Sequence, residues 1–262
     1  MKRKGIGGAL YIALILLLLY LPMIIVVLYS FNASTSRSSY AFTGFSLKNY
    51  TALFNDTRGL LPALGTSLRL ALYSCGLSLV IGTLGAVGMV RRKFRLMGAF
   101  ENLSTLPIMI PEIILGMAFM SLFSFMGLQS GMLTLVIAHT TFCIPYIYII
   151  VKGRLAEMDA SILEAARDLG ANPRRVFFDI TLPLITPAIL SGTMLAFAMS
   201  MDDFVISFFV TSTTTTLPLR IYSSVKIGVP LTINAISTLM LVAVFLVVGL
   251  RTLITPKKKP TK

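Results

Sequence analysis

The sequence predicts an all-α polytopic membrane protein with six transmembrane helices and both termini in the cytoplasm. Three observations predict it. Hydrophobic residues make up 56% of the 262 residues and charged residues 13%, against roughly 25% charged in soluble proteins, so there is too little polar surface to coat a globule. Six apolar runs approach or exceed the roughly 20 residues that a bilayer core requires. Lys and Arg cluster in alternate connections between those runs, which sets the orientation.

The spans fall at about 9–31, 70–90, 103–126, 132–151, 184–210 and 233–250, and residues 1–262 read as a single transmembrane domain. The first is uncharged and follows Lys2, Arg3 and Lys4. Its apolar stretch is longer than the roughly 7–15 residues of a signal-peptide core, so it stays as a span. The second lies between Arg69 and Arg91, the third carries Pro107 and Pro111 ahead of Glu112, and the fourth holds His139, the only histidine. Asp202 and Asp203 fall in the fifth, and the sixth leads into a basic tail. With the N-terminus inside, 17 of the 23 Lys and Arg lie in cytoplasmic segments and five in outer ones, with Arg69 at a border.

Composition also excludes functions. A net charge of +13 suggests nucleic acid in a soluble chain, but here the bases sit in short clusters with no nucleic-acid motif around them. Cys75 and Cys143 both fall inside apolar runs, which leaves neither a disulfide framework nor a zinc site. One histidine rules out chemistry that needs a pair, and no phosphate-binding glycine loop with its lysine is present.

Two connections are longer than a turn. The outer one, 32–61, begins Ser-rich and then offers Ser46 to Phe54, a short amphipathic helix with Leu47, Tyr50, Leu53 and Phe54 available for one face. The inner one, 153–183, has helix punctuation. Ser161 and Glu164 fit a capping box, Gly170 is placed as a C-terminal stop, and Asn172 followed by Pro173 restarts a helix. This predicts a helical hairpin on the cytoplasmic face between spans four and five. From the residues alone it either packs under its own bundle or docks a partner.

Within that loop, Glu164-Ala165-Ala166, three residues, Gly170, nine residues and then Ile180-x-Leu182-Pro183 resemble the EAA loop of ABC-importer permease subunits at every element of the pattern. The resemblance implies that the hairpin is a coupling helix seated on a separate ATP-hydrolysing subunit, with Glu164, Ala165, Ala166, Gly170, Ile180, Leu182 and Pro183 as the coupling residues.

Glu112, Asp202 and Asp203 lie within apolar spans, where a carboxylate costs roughly 2.5–3.5 kcal/mol on insertion scales. No Lys or Arg sits at comparable depth, so a cation is the expected partner of these acids. Adjacent helical residues point about 100° apart, so both aspartates face one atom only if the helix is unwound there; otherwise one lines a path while the other caps or pairs. The two prolines before Glu112 disturb the helix, as is tolerated where the break lines a cavity or is packed by protein. His139 reads first as an interhelical hydrogen-bonder.

The run Ser200 to Val205, with Phe45 to Tyr50 and Leu217 to Tyr222, is similar to the shorter, second permease of spermidine and putrescine importers. That resemblance implies a substrate path through Glu112, Ser200, Asp202, Asp203 and Tyr50. Members of that subfamily often carry a tryptophan near the outer-loop helix; this chain has none, and Tyr50 and Phe54 are the aromatic residues available there. It implies residence in the bacterial inner membrane and, as partners, a second and different permease, two ATP-binding cassette subunits and an extracytoplasmic polyamine-binding protein. No catalytic residue, metal or cofactor is expected on this chain, since ATP and Mg belong to the partner ATPases. The alternatives are a permease for another small solute, or a gradient-driven secondary transporter using the acids for protons or sodium. A membrane-embedded enzyme lacks a nucleophile and metal ligands, and a pure scaffold leaves the buried acids unexplained.

Overall fold

A computed structural model describes residues 6–34, 41–56, 59–91, 95, 97–226 and 228–254. The basic residues at 2–4, 92–93 and beyond 254, with Arg37 and Arg58, lie outside them. Apart from one isolated bridge between Asn32 and Phe45, the regular structure among the described residues is helical. Apolar segments without water must satisfy every N–H and C=O within themselves, and a helix does so.

Five helices among the described residues are long and apolar enough to cross a bilayer. They are α1 (Ile6–Ser30), α3 (Leu60–Arg91), α6 (Met132–Ala156), α12 (Leu231–Ile254) and the continuous stretch Pro173–Asp202. A bent pair, α4 (Met97–Met109) and α5 (Glu112–Phe125), brings the number to six if counted as one span. The shorter elements are α2 (Lys48–Asn55), α7 (Ala160–Asp168), α10 (Val205–Val210) and α11 (Leu217–Val225). Two compact units result, one of residues 63–219 and one of the chain on either side of it.

In the unit of the two chain ends, α12 packs against α1 and α2. Asn49, buried on α2, donates through Nδ2 to the carbonyls of Ser30 at 3.0 Å and Asn32 at 2.9 Å. Asn32 in turn donates to the Ala41 carbonyl and accepts from the Thr43 N–H, both at 2.9 Å. Two buried amides, each bonded, thus pin the loop to the end of α1. Of the apolar face expected on this helix, Leu53 is buried and Tyr50 half-buried, while Leu47 and Phe54 are exposed.

The other unit is organised around α6, which packs on α9 (Leu182–Asp202) and α4. Leu135, Ile147, Val151, Ile185 and Ala196 are fully buried in its core. Hydrophobicity does not draw helices together in lipid, so close packing must. Gly116 on α5 shows this, because a Cβ there would come within 2.9 Å of Phe209 and 3.4 Å of the Ile206 Cα on α10.

The 153–183 segment departs from its sequence reading in two ways. Helix α7 begins before Ser161: Asp159 is the N-cap, its carboxylate accepting from the Ser161 N–H at 2.9 Å. Asp is as good a cap as Ser and stands two residues earlier, so it claims the position from the expected Ser161–Glu164 box. Gly170 ends the helix at φ +82°, with Ala171 N–H bonded to the Ala166 carbonyl and Gly170 N–H to that of Arg167, the paired bonds of a Schellman turn. Asn172 then caps the restart through the Arg175 N–H at 2.9 Å. This second helix does not stop before the fifth span. Pro173–Arg175 (α8) runs through a π-helical turn, Val176–Thr181, directly into α9. Pro183 has no N–H and crowds the carbonyl of Asp179 four residues back, and the wider turn falls where that crowding is absorbed.

The Ser161 N–H holds the Asp159 carboxyl below the usual carboxylate range. A depressed folded-state value means the cap is at full strength above the unfolded-state value and is lost as pH falls through the folded one. Hydrogen-exchange protection of the first turn of α7 is expected to fall with acidification over that window, and the dependence to vanish in Asp159→Asn.

Candidate functional site

Two breaks in the central unit come together. The first separates α4 from α5, which meet at 107°, so the run predicted as one span over 103–126 is sharply bent. Pro111 causes it: proline disfavours helix at Ile110 and itself sits in extended conformation (φ −54°, ψ 133°) as the N-cap of α5. Glu112 is therefore the first residue of a new helix, where the exposed N–H groups favour a carboxylate. The second break interrupts the fifth span, predicted to run unbroken to Val210. Helix α9 ends at Asp202, Asp203 is extended (ψ 120°) and α10 begins at Val205.

Between the breaks lies a cavity of about 280 Å³ lined by Glu112, Asp202 and Asp203 together with Phe142, Tyr146 and Phe204. No lysine or arginine is among its lining residues. Arg69, which the sequence places at a membrane border, donates through Nε to the Gly65 carbonyl of its own helix at 3.2 Å. No cluster of His, Cys, Asp and Glu suited to a metal ion occurs among the described residues.

The two aspartates are in different states. Asp202 is exposed. Asp203 is 5% exposed at its side chain and has four donors converging on it. Its Oδ1 accepts from the Ile206 N–H at 3.1 Å, and its Oδ2 from the Ser207 N–H at 2.9 Å and hydroxyl at 2.7 Å. His139 Nε2 lies 3.3 Å from the same Oδ2. The carboxylate thus caps α10, supplying acceptors to N–H groups that have no partner within their own helix.

His139, fully buried, fixes the other side. Ser207 gives its proton to Asp203, so at 3.1 Å from Nε2 it offers that nitrogen only lone pairs. Nε2 therefore carries a hydrogen, and Nδ1 is hydrogen-bonded to the Ser200 hydroxyl at 2.9 Å. Ser74 Oγ, bonded to the Leu70 carbonyl, stands 3.3 Å beyond Ser200. Ser200, His139 and Asp203 share the connectivity of a hydrolytic triad, but Ser200 is 3% exposed and is sealed from any substrate.

The site residues expected from sequence therefore separate. Glu112, Asp202 and Asp203 meet at one cavity, while Ser200 is buried in the network away from the lining. Tyr50 belongs to the other unit, its hydroxyl 2.7 Å from Ser30 Oγ and its ring 5.3 Å from that of Phe31. Of the expected coupling residues, Ala166 is buried, Gly170 makes the turn, and Glu164, Ala165 and Pro183 are exposed. Ile180 and Leu182 are half-buried at the π turn. The aromatic lining of Phe142, Tyr146 and Phe204 was not foreseen. Its signal was present, because His139, Phe142 and Tyr146 recur at the three- and four-residue spacing of one helix face.

Broken apolar helices around an acidic cavity define a membrane transport component. The chain belongs to the family described as binding-protein-dependent transport system inner membrane component, which matches residues 78–260. In this family the chain is the non-catalytic membrane subunit and the ATPase is a separate one. The putrescine transport system permease protein PotI of Escherichia coli (strain K12) is 43% identical over 237 residues, 87% of this chain and 83% of that protein. The spermidine/putrescine transport system permease protein PotC of Haemophilus influenzae is 39% identical over 240 residues, 91% and 92% of the two chains. The fold is shared with a bacterial ABC transporter that imports the acidic polysaccharide alginate, with a TM-score of 0.77 over 98% of this chain and 99% of that one at 17% identity. The MetNI methionine ABC transporter gives 0.60 over 73% and 92% at 20% identity.

Because Asp203 is bonded on all sides and Asp202 is not, truncating them has unequal effects on stability. Asp203→Ala is expected to destabilise the detergent-solubilised complex by about 3 kcal/mol, and Asp202→Ala by less than about 0.5 kcal/mol. Thermal unfolding of the two variants side by side checks this.

Proposed function

We propose that this chain is the permease subunit of an ATP-driven importer that carries polyamines such as putrescine and spermidine into the cytoplasm. The observation that carries the proposal is a cavity with three carboxylates and no basic lining residue, set where two membrane helices break. A cargo with several ammonium groups supplies the charge such a cavity lacks. The methylene spacers of a polyamine suit the rings of Phe142, Tyr146 and Phe204, whose faces also attract cations. Relatives carrying the names of putrescine and spermidine/putrescine permeases support the same cargo.

In this reading residues 1–262 act as one permease domain with both termini in the cytoplasm. The chain pairs with a second, different permease, two ATPase subunits and an extracytoplasmic binding protein, and holds no metal or cofactor itself. The segment 153–183 is the contact with the ATPase. Helix α7 presents Ile162 and Leu169 to the outside, the latter 89% exposed, an apolar edge fit for a groove on a partner. Glu164 and Ala165 share its exposed surface.

Two experiments test the reading. With the complete complex in proteoliposomes, Asp202→Asn and Glu112→Gln are each expected to lower ATP-driven spermidine uptake roughly tenfold, the scale of a lost charged hydrogen bond. The loss should be greater for the triamine than for the diamine, and uptake at wild-type rate in both variants would end the polyamine reading. Separately, Gly170→Val places a β-branched residue at positive φ, at a penalty of roughly 1–3 kcal/mol. ATPase subunits are expected to co-purify poorly with that variant, and full recovery of coupled transport would remove the docking assignment.

A further inference from the structure

We infer that His139 is a positioning residue: it clamps Asp203 into the wall of the break, which turns Asp202 outward as the aspartate that meets the cargo. The inference rests on the cavity being the cargo site. It divides the work of the paired aspartates, giving Asp203 to the protein and Asp202 to the cargo.

The local backbone links the two side chains. Asp202 closes α9, and Asp203 keeps a helical φ of −61° while its extended ψ of 120° redirects only the chain that follows, so the two side chains diverge by about 100°, as helical neighbours do. Whatever holds Asp203 inward therefore keeps Asp202 turned away from it, where its side chain is exposed. The contacts from α10 hold Asp203 only to its own following turn, through Ile206 and Ser207. Apolar packing seats α10 on α5, and among the described residues His139 is the side chain on another helix that bonds Asp203. From α6 its Nε2 reaches Asp203 and Ser207 on one side of the break, and its Nδ1 reaches Ser200 on the other.

The ring is suited to the task. It is fully buried and lies 5.0 Å from that of Phe142, a lining residue of the cavity. With a hydrogen-bonding nitrogen on each side, it joins a carboxylate to a hydroxyl at fixed separation, which no aliphatic side chain does. Without it, Asp203 loses its donor from α6, and the carboxylates of 202 and 203 become free to exchange places.

The test reads the direction of position 202 without using cargo. In the assembled complex, with buried Cys75 and Cys143 replaced by alanine, Asp202→Cys is labelled with a cationic methanethiosulfonate reagent. The rate is compared among His139, His139→Leu and His139→Gln, the last retaining one donor and one acceptor. Labelling is expected to slow about tenfold in His139→Leu, the scale of a lost bond to a buried charge, and to recover in His139→Gln. Equal rates in all three overturn the inference. Should His139→Leu fail to assemble, Ser207→Ala, which removes the hydroxyl between the ring and Asp203, is expected to slow labelling in its place, and an unchanged rate there overturns it equally.

A second readout uses the cargo. His139→Leu, or Ser207→Ala in its place, is expected to raise the spermidine KM about tenfold when residue 202 is Asp but less than about twofold in Asp202→Asn, because coupled residues are not additive. Full additivity overturns the inference. A wild-type complex that takes up no polyamine defeats the proposed function instead, and leaves the labelling result to decide the role of His139.

Discussion

A helix that breaks inside hydrocarbon leaves N–H and C=O groups with no water to bond, each at a penalty of several kcal/mol, so a break survives only where protein satisfies it. The central unit is arranged around that constraint. At the Asp203 break, one carboxylate supplies the acceptors that the first turn of α10 lacks, and one imidazole supplies the carboxylate with a donor from a different helix. At the Pro111 break, the charge of Glu112 sits on the unsatisfied end of α5. The polar groups that make the cavity acidic are thus partly the groups that make its shape possible.

Much of this was legible in the residues. Apolar run lengths gave an all-helical chain with five or six candidate membrane helices, the prolines before Glu112 marked the first break, and the geometry of neighbouring helical residues already required the two aspartates to do different things. What decided between them was out of reach. His139 lies more than sixty residues from Asp203 in sequence, and only packing of α6 against α9 brings them together. The opposite error arose at α7, where Ser161 and Glu164 satisfy a local rule that Asp159 satisfies two residues sooner. Local signals identify that a cap exists; competition among neighbours decides which residue holds it.

The loop between α1 and α2 teaches the same lesson in a polar setting. Tyr50 stood out as an aromatic residue with a hydroxyl, and its chemistry gave no hint that the hydroxyl is occupied by Ser30 and the ring by Phe31. Asn32 and Asn49, which tie the described part of the loop to α1 and α2, have no distinguishing pattern in sequence. Amide side chains bond to backbone wherever the fold delivers it, and that delivery is a property of the tertiary structure.

The joining of Pro173–Arg175, the π turn and α9 into one helix makes a single rod of 30 residues, from Pro173 to Asp202. At 1.5 Å per residue it is about 45 Å long. Its first turn adjoins the segment proposed to seat on the ATPase, and its last residue is the aspartate at the cavity. A rod has few internal joints in which to lose motion, so a tilt imposed at one end arrives at the other magnified by leverage rather than dissipated. Its soft points are the π turn at Val176–Thr181 and Pro187 inside α9, both in the half toward the driven end, where a fulcrum gives the long arm to the end that carries Asp202.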